Sequence, residues 1–248
     1  KKINLLEAPI STPEKPNSKG QTQKISGSIS VNSYSDFSNT PAANSQRFRY
    51  SLSLNEHNIA NSKFSYESYI SFRHKSGDWA EIQSDIFNGL KIFNLFLSYD
   101  LDRTTKISLG RKINPRISNI GASDGLQFEK SFNRFLLGAL VGTRPDYADY
   151  GFNTELFQFG GYLAFNTITT DKYSESSLAF MQQMNGSKLD RRFLYFQHSD
   201  SFIKNLYFLG TFEVDLYQLI IDSQGNETPE NTFNPTGLYL SLRYKLTT

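Results

Sequence analysis

Between Lys106 and Phe165 apolar and polar residues alternate through four successive runs. One parity carries Ile107, Leu109 and Ile113, then Leu126 and Phe128, then Phe135, Leu137, Ala139 and Val141, then Phe157, Phe159, Leu163 and Phe165. The other carries Ser108, Gly110 and Lys112, then Gln127 and Glu129, then Gly138 and Gly142, then Gln158, Gly160 and Tyr162. Successive side chains of an extended chain point to opposite faces, so each run predicts a strand with one greasy face and one polar or small face. Four such strands in a row make a wall between oil and water.

The same period continues on both sides. Lys24 to Phe37 sets Ile25, Ile29 and Val31 against Ser26, Ser28, Ser30 and Asn32. Arg47 to Asn55 sets Phe48, Tyr50, Leu52 and Leu54 against Arg47, Arg49, Ser51 and Ser53. Phe64 to Arg73 sets Phe64, Tyr66, Ile70 and Phe72 against Glu67, Tyr69, Ser71 and Arg73, and Ile92 to Leu101 turns Leu95, Leu97, Tyr99 and Leu101 one way. Ser174 to Met184 alternates more weakly. Arg191 to His198 is apolar on both faces from Phe193 to Phe196, and Leu206, Phe208, Phe212, Val214 and Leu216 oppose Tyr207, Thr211, Glu213 and Asp215. The last run is the cleanest: Leu238, Leu240, Leu242, Tyr244 and Leu246 against Tyr239, Ser241, Arg243 and Lys245. About twelve strands result. One segment departs from the rule. Trp79, Ile82, Ile86 and Leu90 recur at helical spacing, with Ser76 or Asp78 as a cap and Gly89 as a stop.

Connections alternate in length. Those at 38–46, 74–91, 114–123, 144–155 and 218–236 are mostly long, and those at 56–63, 102–105, 132–134, 166–173 and 199–204 mostly short; only 185–190 is too short for its place. Outer-membrane barrels have long external loops and short periplasmic turns, whereas a soluble sandwich has no cause to alternate. The expected fold is therefore all-β, an antiparallel transmembrane β-barrel over residues 24–248, with residues 1–23 as a flexible or extended periplasmic lead-in. Lys1 opens the chain without Met or an apolar leader, as after removal or omission of a signal peptide. The closing Lys245, Leu246, Thr247 and Thr248 leave two readings open: a complete barrel, or part of a larger one.

Composition changes this picture little. Mean hydropathy is −0.46 with 38% hydrophobic residues, values that suit a barrel because only alternate residues meet lipid. No apolar run approaches the length of a membrane helix. Aromatics at 15% suit strands and interfacial girdles alike. Cysteine is absent, which excludes disulfides and thiolate metal sites, and a net charge of +2 without a basic run gives no reason to expect nucleic acid as a partner.

Gly110 and Arg111, the pair Asp124 and Gly125, the loop from Arg144 to Phe152, and Gly160, Gly161 and Tyr162 resemble uncharacterised porin-like β-barrel proteins of the outer membrane of Gram-negative bacteria. The likeness is clearest over about the middle quarter of the chain. It implies an outer-membrane location and a barrel, and it carries over no catalytic motif.

Candidate chemistry is correspondingly sparse. His57, His74 and His198 lie in no metal-ligand spacing, so neither a metal nor another cofactor is expected. His198, Ser199 and Asp200 form the one string that suggests a lipid-acting barrel enzyme, but neighbours on a strand point to opposite faces and would diverge. Charges facing lipid are costly, so Arg49, Glu67, Arg73, Lys112, Glu129, Glu213, Asp215 and Arg243 are expected to face the lumen. Their mixed signs fit a narrow porin-like passage for small solutes, or a closed salt-bridged interior. A structural or accessory subunit of a larger outer-membrane complex is the alternative, with Phe193, Tyr195, Tyr147, Tyr150 and Phe152 as docking candidates. Expected partners are outer-membrane lipid, lipopolysaccharide and other outer-membrane proteins.

Overall fold

In the computed structural model the described residues are 22–39, 44–169, 172–221 and 227–246. The lead-in expected at 1–23 lies outside them apart from Thr22 and Gln23. Twelve strands follow in chain order: β1 Lys24–Asp36, β2 Ser45–His57, β3 Phe64–Lys75, β4 Leu90–Asp100, β5 Thr105–Ile113, β6 Ala122–Phe132, β7 Phe135–Thr143, β8 Leu156–Ile168, β9 Tyr173–Asn185, β10 Lys188–Asp200, β11 Leu206–Ile221 and β12 Glu227–Tyr244. They form one sheet in which each strand pairs antiparallel with the next. Among the described residues β1 and β12 do not pair with each other, so the sheet ends in two edges.

All twelve strands predicted from alternation are present. In β7 the residues Leu136, Gly138, Leu140 and Gly142 are buried on one side while Phe135, Leu137, Ala139 and Val141 are exposed on the other. β6 and β7 join through Asn133 and Arg134, with Asn133 at φ 56° supplying the left-handed residue a tight hairpin needs.

The expected loop at 218–236 is mostly strand. β11 runs to Ile221 and β12 starts at Glu227. Pro229 and Pro235 lie within it, and a strand at a sheet edge tolerates proline where its outward N–H positions need no partner. Pro235 also stands opposite Val214 at a register shift that absorbs the extra residue Thr236.

The helical segment is α1, Trp79–Ser84, followed by a 3-10 turn at Ile86–Asn88 that Gly89 closes. Asp78 occupies the cap position without a side-chain cap bond, and Ile82 is the buried residue of the helix. Trp79 stacks on His74 at 5.1 Å, beside Phe72, Phe48 and Tyr50 on the outer face. At the opposite ends of their strands Phe64 meets Tyr99 at 4.7 Å and Phe135 meets Phe165 at 5.1 Å. Aromatic residues thus mark both ends of the apolar band, the arrangement expected of membrane interfaces.

Candidate functional site

The connection after β5 does not project away from the sheet. Residues 114–121 lie on the inner face, with a 3-10 turn at Ser118–Ile120. Two apolar side chains hold them there: Ile117 and Ile120 pack with Leu136, Leu140, Ala164, Ala179, Met181 and Phe193. Polar bonds then tie the segment to strand after strand. Asn114 Nδ2 donates to Gln127 Oε1 at 3.2 Å and to the Tyr162 hydroxyl at 2.8 Å. Ser177 Oγ donates to the Arg116 carbonyl at 2.8 Å, and Gln197 Nε2 donates to the Pro115 carbonyl at 2.8 Å. Ser118 Oγ lies 2.9 Å from the Tyr195 hydroxyl and donates to Gln197 Oε1 at 2.9 Å, while Asn119 Nδ2 donates to Glu213.

These contacts require the sheet to curl. Asn119 is three residues from β6, a reach of about 10 Å. The path along a flat sheet from β6 to β11 crosses five strand spacings, about 24 Å. Two side chains cannot span the difference. Contact between Asn119 and Glu213 therefore means that β11 comes round to face β6, so the segment crosses the inside of a curved wall.

Each of two inward arginines in this half sits between two carboxylates. Arg116 bridges Glu129 on β6 and Glu175 on β9, each at 3.1 Å. Arg191 pairs with Glu213 and, at 2.8 Å, with Asp215, and its guanidinium lies 4.5 Å over the Phe193 ring. Tyr162 donates to Glu129, and its ring lies flat against Gly138, where an added Cβ would meet ring atoms at 2.0–2.5 Å. Gly138 therefore makes the space for the tyrosine that holds Asn114.

Of the lumen candidates, Glu129, Glu213 and Asp215 thus belong to the ion pairs around this segment. Lys112 lies 5.0 Å over Phe96 and reaches Ser108 Oγ at 3.4 Å. Glu67 accepts from Asn94 Nδ2 at 3.1 Å, and Arg49 Nε donates to Ser71 Oγ at 3.3 Å. Arg73 and Arg243 are exposed, the first near the end of β3 and the second on the edge strand β12.

The docking candidates divide. Phe193 and Tyr195, 4% and 2% exposed, face inward beneath the 114–121 segment and offer no surface to a partner. Both faces of β10 are apolar because one meets the outside and the other meets Ile117 and Ile120. Tyr150 turns toward Phe93 at 5.2 Å. Tyr147 and Phe152, 84% and 70% exposed, remain open. Their loop is pinned by Arg111, which donates to the Tyr150 carbonyl at 2.5 Å, pairs bidentately with Asp124 and lies 5.0 Å over the Phe152 ring.

His198 and Ser199 do diverge. The His198 Nδ1 atom lies 2.8 Å from Ser176 Oγ, its Nε2 atom is 3.8 Å from Asp200, and Ser199 meets Tyr173 instead. The 3.8 Å separation is beyond hydrogen-bond range, so no base is oriented by a carboxylate here.

No family model matches the sequence, and no curated protein matches it. Among solved structures the chain is similar to OmpF of Salmonella typhi, in its complex with daunomycin, with a TM-score of 0.50 at 11% identity over 92% of this chain and 75% of OmpF. The fold is porin-like. At that identity the likeness concerns architecture, and it agrees with the consecutive antiparallel strand order and the curved wall described above.

Proposed function

We propose that the chain forms a passage for small hydrophilic solutes through the bacterial outer membrane, narrowed on one side by residues 114–121. The observation that carries this reading is the inward segment itself. It packs against β6 to β11 and, among the described residues, makes no hydrogen bond to β1 to β4. A greasy outer face with aromatic ends supports placement in a membrane, and the porin-like architecture supports the outer membrane of a Gram-negative bacterium.

Conductance in planar bilayers tests the passage. The wild type should open discrete aqueous channels. Arg116→Ala should leave Glu129 and Glu175 buried without their cation, a loss of about 3–5 kcal/mol for a broken buried pair. Its segment should then detach and conductance should rise. A wild type that incorporates into bilayers yet passes no current would defeat the proposal.

A second reading, a subunit of a larger outer-membrane assembly, draws on the two strand edges and on the exposed Tyr147 and Phe152. Purification in mild detergent separates the two: a stoichiometric partner favours the subunit. An enzymatic role in lipid hydrolysis has the least support, because Ser176, His198 and Asp200 lack an oriented base; a lipase assay should read at background.

A further inference from the structure

The outer face of β9 to β11 is broken by a polar notch close to the turn that follows β10. Leu178, Phe196 and Phe212 form an exposed apolar row across the three strands. Two residues nearer the turn the row reads Ser176, His198 and Gly210, and the next reads Ser174, Asp200 and Phe208. Phe165 on β8 stands opposite Ser176, so the notch lies level with the aromatic pair Phe135 and Phe165. Aromatic ends of this kind mark the border between hydrocarbon and headgroups. Polar groups turned toward lipid cost free energy unless they find partners.

The notch opens into a cavity of about 280 Å³ lined by His198, Asp200, Ile203, Leu206 and Phe208. Gly210 makes room beside His198, and the Phe208 ring lies over it, where an added Cβ would meet ring atoms at 3.0 Å. Two atoms in the cavity are left over. Asp200 Oδ1 accepts from the Phe202 amide at 2.6 Å, and among the described residues Oδ2 accepts no hydrogen bond and meets no lysine or arginine. His198 Nδ1 is engaged by Ser176 Oγ at 2.8 Å, which leaves Nε2 free at 3.8 Å from Asp200 Oδ2.

With Nδ1–H donated to Ser176, Nε2 carries a lone pair. Two acceptors at that separation do not bond each other, but one primary ammonium between them donates to both. A quaternary ammonium has no N–H and cannot. Lys204, in the turn after Asp200, is an exposed cation, and Ile203, Leu206 and Phe208 lead the cavity wall into the apolar row. We infer that Asp200 and His198, with Lys204 and the Phe208 wall, form a site for a membrane phospholipid whose headgroup is phosphoethanolamine. The amine sits between Asp200 and His198, the phosphate faces Lys204, and the acyl chains run along Phe196 and Phe212. The site rests on the outer face meeting lipid and not on the passage.

Vesicles of phosphatidylethanolamine and phosphatidylcholine in equal parts, with identical acyl chains, supply the probe. The full chain is folded into them and extracted in mild detergent, and the lipid it retains is identified by native mass spectrometry. The wild type should retain the ethanolamine lipid over the choline lipid by about tenfold, the difference expected of one charge-assisted contact. D200N, whose amide oxygen still accepts from Phe202, and H198F should each lose that preference while keeping heat-modifiable migration in gels. E81Q removes a carboxylate from α1, at the other end of the strands, and should keep the preference in full. Free phosphoethanolamine should not displace the lipid; displacement at matched concentration would mean a soluble ligand and overturn the lipid assignment. Equal retention of the two lipids by the wild type, or a preference that survives in both D200N and H198F, overturns the site. A chain that fails to enter vesicles removes the lipid-facing surface and the site with it. Ethanolamine preference in a chain that passes no current supports the site and removes the passage.

Discussion

At Gly138 a single hydrogen in place of a side chain lets the Tyr162 ring lie on the strand, and the ring's hydroxyl reaches both Asn114 and Glu129. Gly138→Val should push the ring away, costing about 1–3 kcal/mol as overpacking usually does. The 114–121 amides should then exchange faster with solvent while β1 to β4 stay unchanged. Unchanged exchange in 114–121 would mean that Ile117 and Ile120 hold the segment without the tyrosine. A second residue-scale prediction concerns Asp102 in the β4–β5 turn. Thr104 donates to its carboxylate from both the hydroxyl and the backbone, each at 2.7 Å, and Thr105 from its hydroxyl at 2.9 Å. These bonds hold the carboxyl well below the usual range, with the Thr104 hydroxyl the largest cause. A depressed value means the turn's stabilisation is complete above about pH 4 and is lost only as pH falls further. Exchange at the Thr104 amide should therefore be flat from neutral pH to about pH 4, and Asp102→Asn should remove the acid-dependent step.

Each strand is an element whose register is all-or-none, since a slip of one residue exchanges every side chain between the faces. In β12 Leu240 is exposed on the outer face and Ser241 is half-buried on the other. Leu240→Arg should hinder insertion into lipid vesicles, by about 2–4 kcal/mol if the site lies near the bilayer midplane. Ser241→Arg should fold normally; equal yields for the two would refute the outer face. This face was legible from sequence because alternation is a local property, readable from Leu238 to Tyr244 alone. The inward path of 114–121 was not. Asn114, Pro115, Ser118 and Asn119 read as an ordinary external loop, and contacts that hold them come from as far as 94 positions away, from Tyr162, Gln197 and Glu213. Two signals were nevertheless present: Ile117 and Ile120 inside a polar connection, and Leu136 and Leu140 on the otherwise polar face of β7. Phe193 and Tyr195 gave the same message from β10. Apolar residues on a lumen face mark a surface that something inside the barrel covers.

For the molecule as a whole the two edges set the strongest constraint. β1 is exposed along its full length, and β12 nearly so. An unpaired N–H or C=O in hydrocarbon costs several kcal/mol, so a bilayer does not tolerate two free edges of this length. In lipid the edges must pair with one another or with other strands. Hydrogen exchange on the protein in nanodiscs distinguishes a satisfied edge from an open one: β1 and β12 amides should be protected as strongly as those of β6 and β8. Exchange at the rate of the β4–β5 turn would contradict the membrane-spanning arrangement. Where protection is found, the mass of the particle in mild detergent identifies what supplies it. A particle holding one chain means that β1 and β12 close on each other, and the lumen is bounded by these twelve strands. A larger particle means that strands of another chain complete the wall, which widens the lumen beyond the 114–121 segment and makes the subunit reading the correct one.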